Sequence, residues 1–355
     1  MRSEEIVTIK SRFTHYSVFF VSQINFPVEA LVIVDANVLS RYVFPQNLQI
    51  VSIECTEEKK SLETIERLIE VFQKHRINKN SQVIFVGGGV MQDLGTFAAS
   101  IYMRGLSWIY YPTTLQAMID SCIGGKSSIN FGTRKNILGN YHPPKQIQIW
   151  ANFLSSLEKE QIISGLIEGL KICLAANTEA TFLNLVKEFK NSNFSHEKAL
   201  NIIQLCLRSK KTFIEADEFD FGVRNLLNYG HTFGHAIEAS SNFKISHGTA
   251  VGIGILAAHN LARDLDLLDN NLTTAELAVK DLLRELNFNL GEIAKKLSLN
   301  NFIGHIRGDK KATSEKMVFI LPTNSGLVKQ ELTFDLQNEA RIELALTSVI
   351  LGNLN

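Results

Sequence analysis

The chain has no excess of either charge: 36 Lys and Arg are matched by 36 Asp and Glu in 355 residues. A general nucleic-acid binder needs a basic excess to displace counterions from phosphates, so that class is excluded and only a local basic pocket is left open. No apolar run of about 18 residues, the length that spans a bilayer, occurs, so no membrane partner is expected. The opening residues Met1-Arg2-Ser3-Glu4-Glu5 are charged and lack the apolar core of a secretory signal, which points to the cytoplasm. The four cysteines, Cys55, Cys122, Cys173 and Cys206, are far apart and show no Cys-x-x-Cys spacing. Reduced thiols are therefore expected rather than a disulfide framework or a thiolate zinc site. There is no internal repeat, no low-complexity tract and no long linker.

What the chain does have is an ordinary globular composition, 45% apolar and 20% charged, and a length that suits two domains. Short apolar runs rich in Val, Ile, Phe and Tyr occur at Ser17–Ser22, Ala30–Asp35, Val83–Gly87, Ser107–Tyr111 and Gln146–Trp150. Helical patterns such as Leu62–His75 lie between them. Strands alternating with helices predict a mostly parallel sheet covered on both faces. Ser61 and Thr64 lack the acidic partner of a capping box, and Pro143-Pro144 marks a turn before the last of these strands. Beyond Leu157 helical periodicity dominates, over Glu158–Ala176, Glu197–Ile214, Leu226–Ser240, Gly248–Arg263 and Thr274–Leu286, with one later apolar run at Met317–Leu321. The expected division is an α/β domain over 1–157 and a mainly α-helical domain over 158–355.

Five segments carry candidate chemistry. A strand enters Gly87-Gly88-Gly89 and leaves as a helix through Asp93, which suits a phosphate at a helix N-terminus, although a tight turn accounts for the same glycines. Thr113-Thr114 follows another strand and reads as ligand hydroxyls or as a helix cap. Gly124-Gly125-Lys126-Ser127 ends like a nucleotide P-loop, but Asp120 stands where the first glycine of that loop must be. Glu168 and Lys171 are neighbours on an apolar helix, as a surface ion pair or as part of a site. His231, His235 and His247 fall within 17 residues and, with a carboxylate such as Glu168, suggest a metal centre. Spacing alone pairs His231 with His235 on one helix face.

Taken together, these residues resemble 3-dehydroquinate synthase, within the wider sugar-phosphate cyclases. The resemblance rests on Gly87-Gly88-Gly89, Tyr102-Met103-Arg104-Gly105, Pro112-Thr113-Thr114-Leu115, Asp120 with Gly124-Gly125-Lys126, Lys135-Asn136, Glu168 with Lys171, and Leu227 through Ala236. It implies an N-terminal NAD-binding α/β domain and a helical metal-binding domain. It implies Zn²⁺, or Co²⁺, on Glu168, His231 and His247, with His235 acting on the substrate instead of binding metal. NAD would contact Asp35, Asn37, Glu57, Lys60, Gly88, Gly89, Asp93, Thr113, Thr114 and the stretch from Phe153 to Ser156. Lys126, Asn136 and Asn228 would hold a sugar phosphate, with Lys126 and Lys135 bordering both cofactor and substrate. Arg104 would reach the phosphate bound by a neighbouring subunit, which implies a homodimer. Lys210 and Arg224 would grip a carboxylate, and Asp120, Lys171 and one of Lys310 and Lys311 would complete the pocket.

The implied reaction converts 3-deoxy-D-arabino-heptulosonate 7-phosphate to 3-dehydroquinate and phosphate by oxidation, elimination, reduction and aldol closure. A neutral protein must concentrate Lys and Arg locally for such a substrate. Gln92, Ser127, Trp150 and Thr249 depart from the residues usual in the family. Asn130 to Asn136 and Tyr141 to Pro144 lean toward cyclitol-forming relatives, so another sugar-phosphate cyclase is the alternative. A polyol dehydrogenase and a catalytically inert binding protein are the remaining rivals. The paired Lys210 and Arg224 favour the carboxylate-bearing substrate.

Overall fold

A computed structural model describes residues 3–132, 134–191, 195–242, 244–286, 299–307 and 315–352. In chain order the strands and α-helices are β1 (Ser3–Ile9), β2 (Tyr16–Val21), β3 (Leu31–Asp35), α1 (Ala36–Arg41), β4 (Gln49–Ile53), α2 (Leu62–Lys74), β5 (Val83–Gly87) and α3 (Gly89–Ile101). Then come β6 (Trp108–Pro112), β7 (Ile129–Phe131), β8 (Arg134–Leu138), β9 (Gln146–Ile149), α4 (Lys159–Ala175), α5 (Glu179–Asn191) and α6 (His196–Ala216). The last are α7 (His231–Ser240), α8 (His247–Asp264), α9 (Thr274–Arg284), α10 (Leu299–Arg307), β10 (Lys316–Thr323), β11 (Gly326–Thr333) and α11 (Leu336–Leu351). No helix among the described residues is long and apolar enough to cross a membrane.

The chain divides into two compact units, Met1–Glu158 with Glu188–Phe219, and Lys159–Lys187 with Asp220–Asn355. The first is built on a seven-stranded sheet of order β1-β2-β9-β6-β5-β3-β4. All neighbours pair in parallel except β1 with β2. β3, β5 and β6 are buried at every residue, the mark of strands covered on both faces, and this is why they read as continuous apolar runs. From β3 the chain passes outward to β4, then returns across β3 to β5 and continues to β6 on the other side. The strand order thus reverses between β3 and β5, where open α/β sheets leave a crevice at their carboxyl ends. The sequence boundary near residue 157 needs one change. Residues 188–219 belong with the first unit, because α6 packs on β1 and on the turns over Ala117–Ser121 and Ala151–Ser156.

Among the described residues the second unit is helical apart from the β10–β11 hairpin. Its centre is α8, from Gly248 to Ala258 buried without interruption and packed by α4, α7, α9 and α11. The helix expected over Leu226–Ser240 is broken: a short turn covers Val223–Asn228, Gly230 adopts a left-handed conformation (φ 75°), and α7 starts only at His231. Across this break Gly254 of α8 lies against the backbone. A Cβ there would sit far inside van der Waals contact of Gly230 O and 2.9 Å from Gly234 N. Gly304, exposed on α10, has nothing within 4 Å of such a carbon. Gly254→Ala is expected to cost roughly 1–3 kcal/mol or more in urea unfolding, as overpacking against rigid backbone does. Gly304→Ala should be neutral or stabilise by up to about 1 kcal/mol. Equal stability of the two variants would contradict the close approach.

Candidate active site

Glu168 sits in the middle of α4, whose residues from Ile162 to Cys173 are all buried, and its own exposure is 0%. Both of its carboxylate oxygens are buried. What faces them is positive or can be: Lys171 Nζ at 2.6 Å from Oε2, His247 Nε2 at 3.1 Å and His231 Nε2 at 3.8 Å from Oε1. Burial alone would push this carboxyl up, but the Lys171 ammonium and the His247 imidazole outweigh it and hold it well below the usual carboxylate range. Burial likewise disfavours an imidazolium at His247, yet Glu238 and Glu168 outweigh that and push the ring up to about 10. His231 opens α7 and His247 opens α8, so two helix starts deliver the two rings. The α4–α8 distance is set at Gly248, whose N–H donates to Ser164 Oγ at 3.2 Å and where any Cβ would overlap Ser164.

The ligand atoms of Glu168, His231 and His247 lie within 4.8 Å of one another, as do those of His235, Glu238 and His247. Two imidazoles and one carboxylate are a donor set that catalytic Zn²⁺ sites use. The pairing suggested by spacing is thereby revised. His231 and His235 do stack edge to face at 5.3 Å, but His235 does not join the group that contains Glu168. The third partner, His247, comes from the next helix, which an i,i+4 rule cannot see.

In the first unit the expected residues gather at the carboxyl ends of the parallel strands. Asp35 ends β3 and accepts from Asn37 N at 2.9 Å; burial raises its carboxyl against that bond. Gly88 precedes α3 and Gly89 begins it, exposed. Tyr110 donates to the carbonyls of Gly87 (3.0 Å) and Gly88 (2.9 Å) and so braces this turn from below. Thr113 follows β6 and is buried; Thr114 accepts from Ala117 N at 3.2 Å, the capping role its position allowed. Phe153 is buried against Tyr42 and Trp150, and Ser156 donates to Phe153 O at 3.0 Å.

Beside this edge lies a polar cluster. Lys60 Nζ, nearly buried, reaches Asp93 Oδ2 at 3.0 Å, Asn136 Oδ1 at 2.5 Å, Ser128 Oγ at 3.3 Å and Glu57 Oε1 at 3.6 Å. Burial disfavours the ammonium, but Asp93 and Glu57 raise it overall. Asp93 also accepts from Ser128 N and Oγ, both at 2.9 Å, and Lys135 pairs with Glu57 at 3.4 Å. Asn136 takes a left-handed backbone (φ 56°), a strained choice for a strand residue. Asp120 lies in a π-helical turn and pairs with Lys210, whose Nζ is 2.5 Å from Oδ1 and also donates to Asp120 O and Ile123 O. Lys126, half-buried, bridges to Tyr141 through the backbone.

Comparison with known proteins agrees with this geometry. The 3-dehydroquinate synthase N-terminal model matches residues 50–164 and the C-terminal model residues 165–312. A 3-dehydroquinate synthase of Campylobacter jejuni subsp. doylei is 35% identical over 296 residues, 81% of this chain and 82% of the relative. The chain belongs to the 3-dehydroquinate synthase family. Among solved structures it resembles 2-epi-5-epi-valiolone synthase from Streptomyces hygroscopicus subsp. jinggangensis with NAD⁺ and Zn²⁺ bound (TM-score 0.80, 25% identity, 95% of this chain and 97% of that one). It also resembles 2-deoxy-scyllo-inosose synthase complexed with carbaglucose-6-phosphate, NAD⁺ and Co²⁺ (TM-score 0.79, 20% identity, 98% and 100%), which supports the fold. The mostly parallel α/β unit and the helical unit are those of the 3-dehydroquinate synthase fold.

Arg104 is exposed on a one-turn helix, Tyr102–Arg104, with left-handed backbone at Met103 and Arg104. Arg224 is buried and Asn228 half-buried, both in the Val223–Asn228 turn, and Asn228 donates to Asn225 O at 3.0 Å. Lys310 and Lys311 lie outside the described residues. Sequence reading passed over Glu238, three residues beyond His235 on the same face of α7, which contacts His247 at 3.1 Å. His247→Ala is expected to abolish stoichiometric Zn²⁺ binding, measured by dialysis and metal analysis, while the first unit still unfolds normally. A full equivalent of Zn²⁺ on that variant would remove His247 from the site.

Proposed function

We propose that the protein is a 3-dehydroquinate synthase, a carbon–oxygen lyase that converts 3-deoxy-D-arabino-heptulosonate 7-phosphate to 3-dehydroquinate and phosphate in the shikimate pathway. The observation that carries this reading is the convergence of Glu168, His231 and His247 in a member of that family. In our reading these three hold Zn²⁺, and Asp35, Asn37, Glu57, Lys60, Gly88, Gly89, Asp93, Thr113, Thr114 and the Phe153–Ser156 stretch serve NAD. Bound there, Zn²⁺ and NAD⁺ would supply a Lewis acid and a hydride acceptor that is regenerated each turn.

The chain's own groups do the rest. Lys171 keeps an ammonium on Glu168, so that carboxylate stays ionised in an apolar helix. His235, beside His231 and His247, is the group we assign to move protons, since an imidazole serves as both acid and base. Lys126, Lys135, Asn136 and Asn228 are assigned to the phosphate. Lys210 and Arg224 are assigned to the carboxylate. Asp120 is supported as the partner that holds Lys210 in place. We assign Arg104, exposed on the Tyr102–Arg104 turn, to the phosphate of a neighbouring subunit in a homodimer. We further propose that the enzyme works in the cytoplasm.

The deciding assay follows phosphate release and 3-dehydroquinate formation with catalytic NAD⁺ and Zn²⁺. Turnover without net NADH is expected. Stoichiometric NADH would indicate a polyol dehydrogenase, and turnover only of carboxylate-free sugar phosphates would indicate a cyclitol synthase. Arg224→Ala is expected to raise KM for the heptulosonate phosphate by roughly 10- to 100-fold, the loss of a charge-assisted hydrogen bond, with NAD affinity nearly unchanged. Equal losses for both ligands would contradict its assignment.

A further inference from the structure

His247 stands between two carboxylates. Its Nε2 lies 3.1 Å from Glu168 Oε1 and its Nδ1 lies 3.1 Å from Glu238 Oε2. A ring that coordinates a metal through one nitrogen carries its proton on the other, and that N–H needs an acceptor. Two seats for a cation share this ring, one with Glu168 and His231, the other with His235 and Glu238. Two observations favour the first seat. Glu168 has no exposed surface, whereas the Glu238 side chain is 14% exposed and can be hydrated. His231 is oriented in the same sense, with Nδ1 3.2 Å from Tyr229 O and Nε2 toward Glu168. Both rings thus turn Nε2 to one carboxylate and tie Nδ1 back to an acceptor.

We propose that Glu238 is a positioning residue for the metal centre. It accepts the Nδ1–H of His247, so that when a metal takes the place of the Nε2 proton the ring is held with its Nε2 lone pair toward the site, and it raises the basicity of that nitrogen. One helix, α7, then supplies a ligand of its own in His231 and the group that orients the ligand on the next helix. This inference rests on the metal reading above, and it assigns a residue that contacts neither metal nor substrate.

The test is competition of purified, metal-stripped protein against a chromogenic chelator for Zn²⁺, on the wild type and on Glu238→Gln, Glu238→Ala, His247→Ala and Glu168→Ala, each checked for folding by circular dichroism. Glu238→Gln keeps an acceptor but loses the charge and should weaken Zn²⁺ by about 10-fold. Glu238→Ala removes the acceptor and should approach about 100-fold, the range for orienting groups of this kind. At saturating Zn²⁺ both should regain an unchanged KM for the sugar phosphate. Wild-type affinity in both Glu238 variants, with binding lost in His247→Ala, would overturn the positioning role alone. Loss in Glu238→Ala as complete as in Glu168→Ala would make Glu238 a ligand and also overturn it. Full affinity in both His247→Ala and Glu168→Ala would overturn the metal reading itself.

Discussion

A carboxylate with no access to water governs the helical unit. Leaving Glu168 ionised and unpaired inside α4 would cost several kcal/mol, so everything around it supplies positive charge or a path to it. Lys171 comes from one helical turn away on the same element, and the two imidazoles come from the first residues of two further helices. That delivery requires backbones to approach closely. Gly248 lets α8 lie on Ser164 of α4, and the left-handed Gly230 lets α7 begin where His231 is needed. The packing of the unit and the chemistry of its centre are thus one set of constraints.

The first unit answers a different demand, the placing of exposed backbone and a few polar side chains at one sheet edge. Strands buried on both faces fix the positions of Asp35, Gly87 and Pro112 rigidly, and the loops that follow them inherit that order. The strand order reverses between β3 and β5, the place where open α/β sheets leave a crevice at their carboxyl ends. The Lys60–Asp93–Asn136 network holds the β7–β8 hairpin to α3, at the cost of a strained backbone at Asn136.

Legibility in the sequence followed burial. β3, β5 and β6 announce themselves because every residue is covered. β4, at the sheet edge, and β11, in a hairpin, are only partly covered, and Gln49–Ile53 and Gly326–Thr333 are absent from the apolar runs that the sequence marks as strands. A helical stripe in α6 shows that a face is buried but not on which unit, and residues 188–219, read from the sequence with the second domain, group with the first unit. Periodicity ran through Gly230 because one glycine in a helical pattern is tolerated, whereas a positive φ is a tertiary fact. The histidine cluster was visible as composition. Which two rings meet Glu168 was not, since His247 arrives from a separate helix, and the family resemblance rather than spacing pointed to it.

The central claim is that Glu168, His231 and His247 form one metal centre. X-ray absorption at the zinc edge of the stoichiometrically loaded protein tests it directly. The account expects two imidazole nitrogens and oxygen donors at about 2.0–2.2 Å, with no sulfur, and loss of one imidazole shell in any His247→Ala protein that still holds metal. A sulfur shell near about 2.3 Å, or a first shell without imidazole, would contradict it.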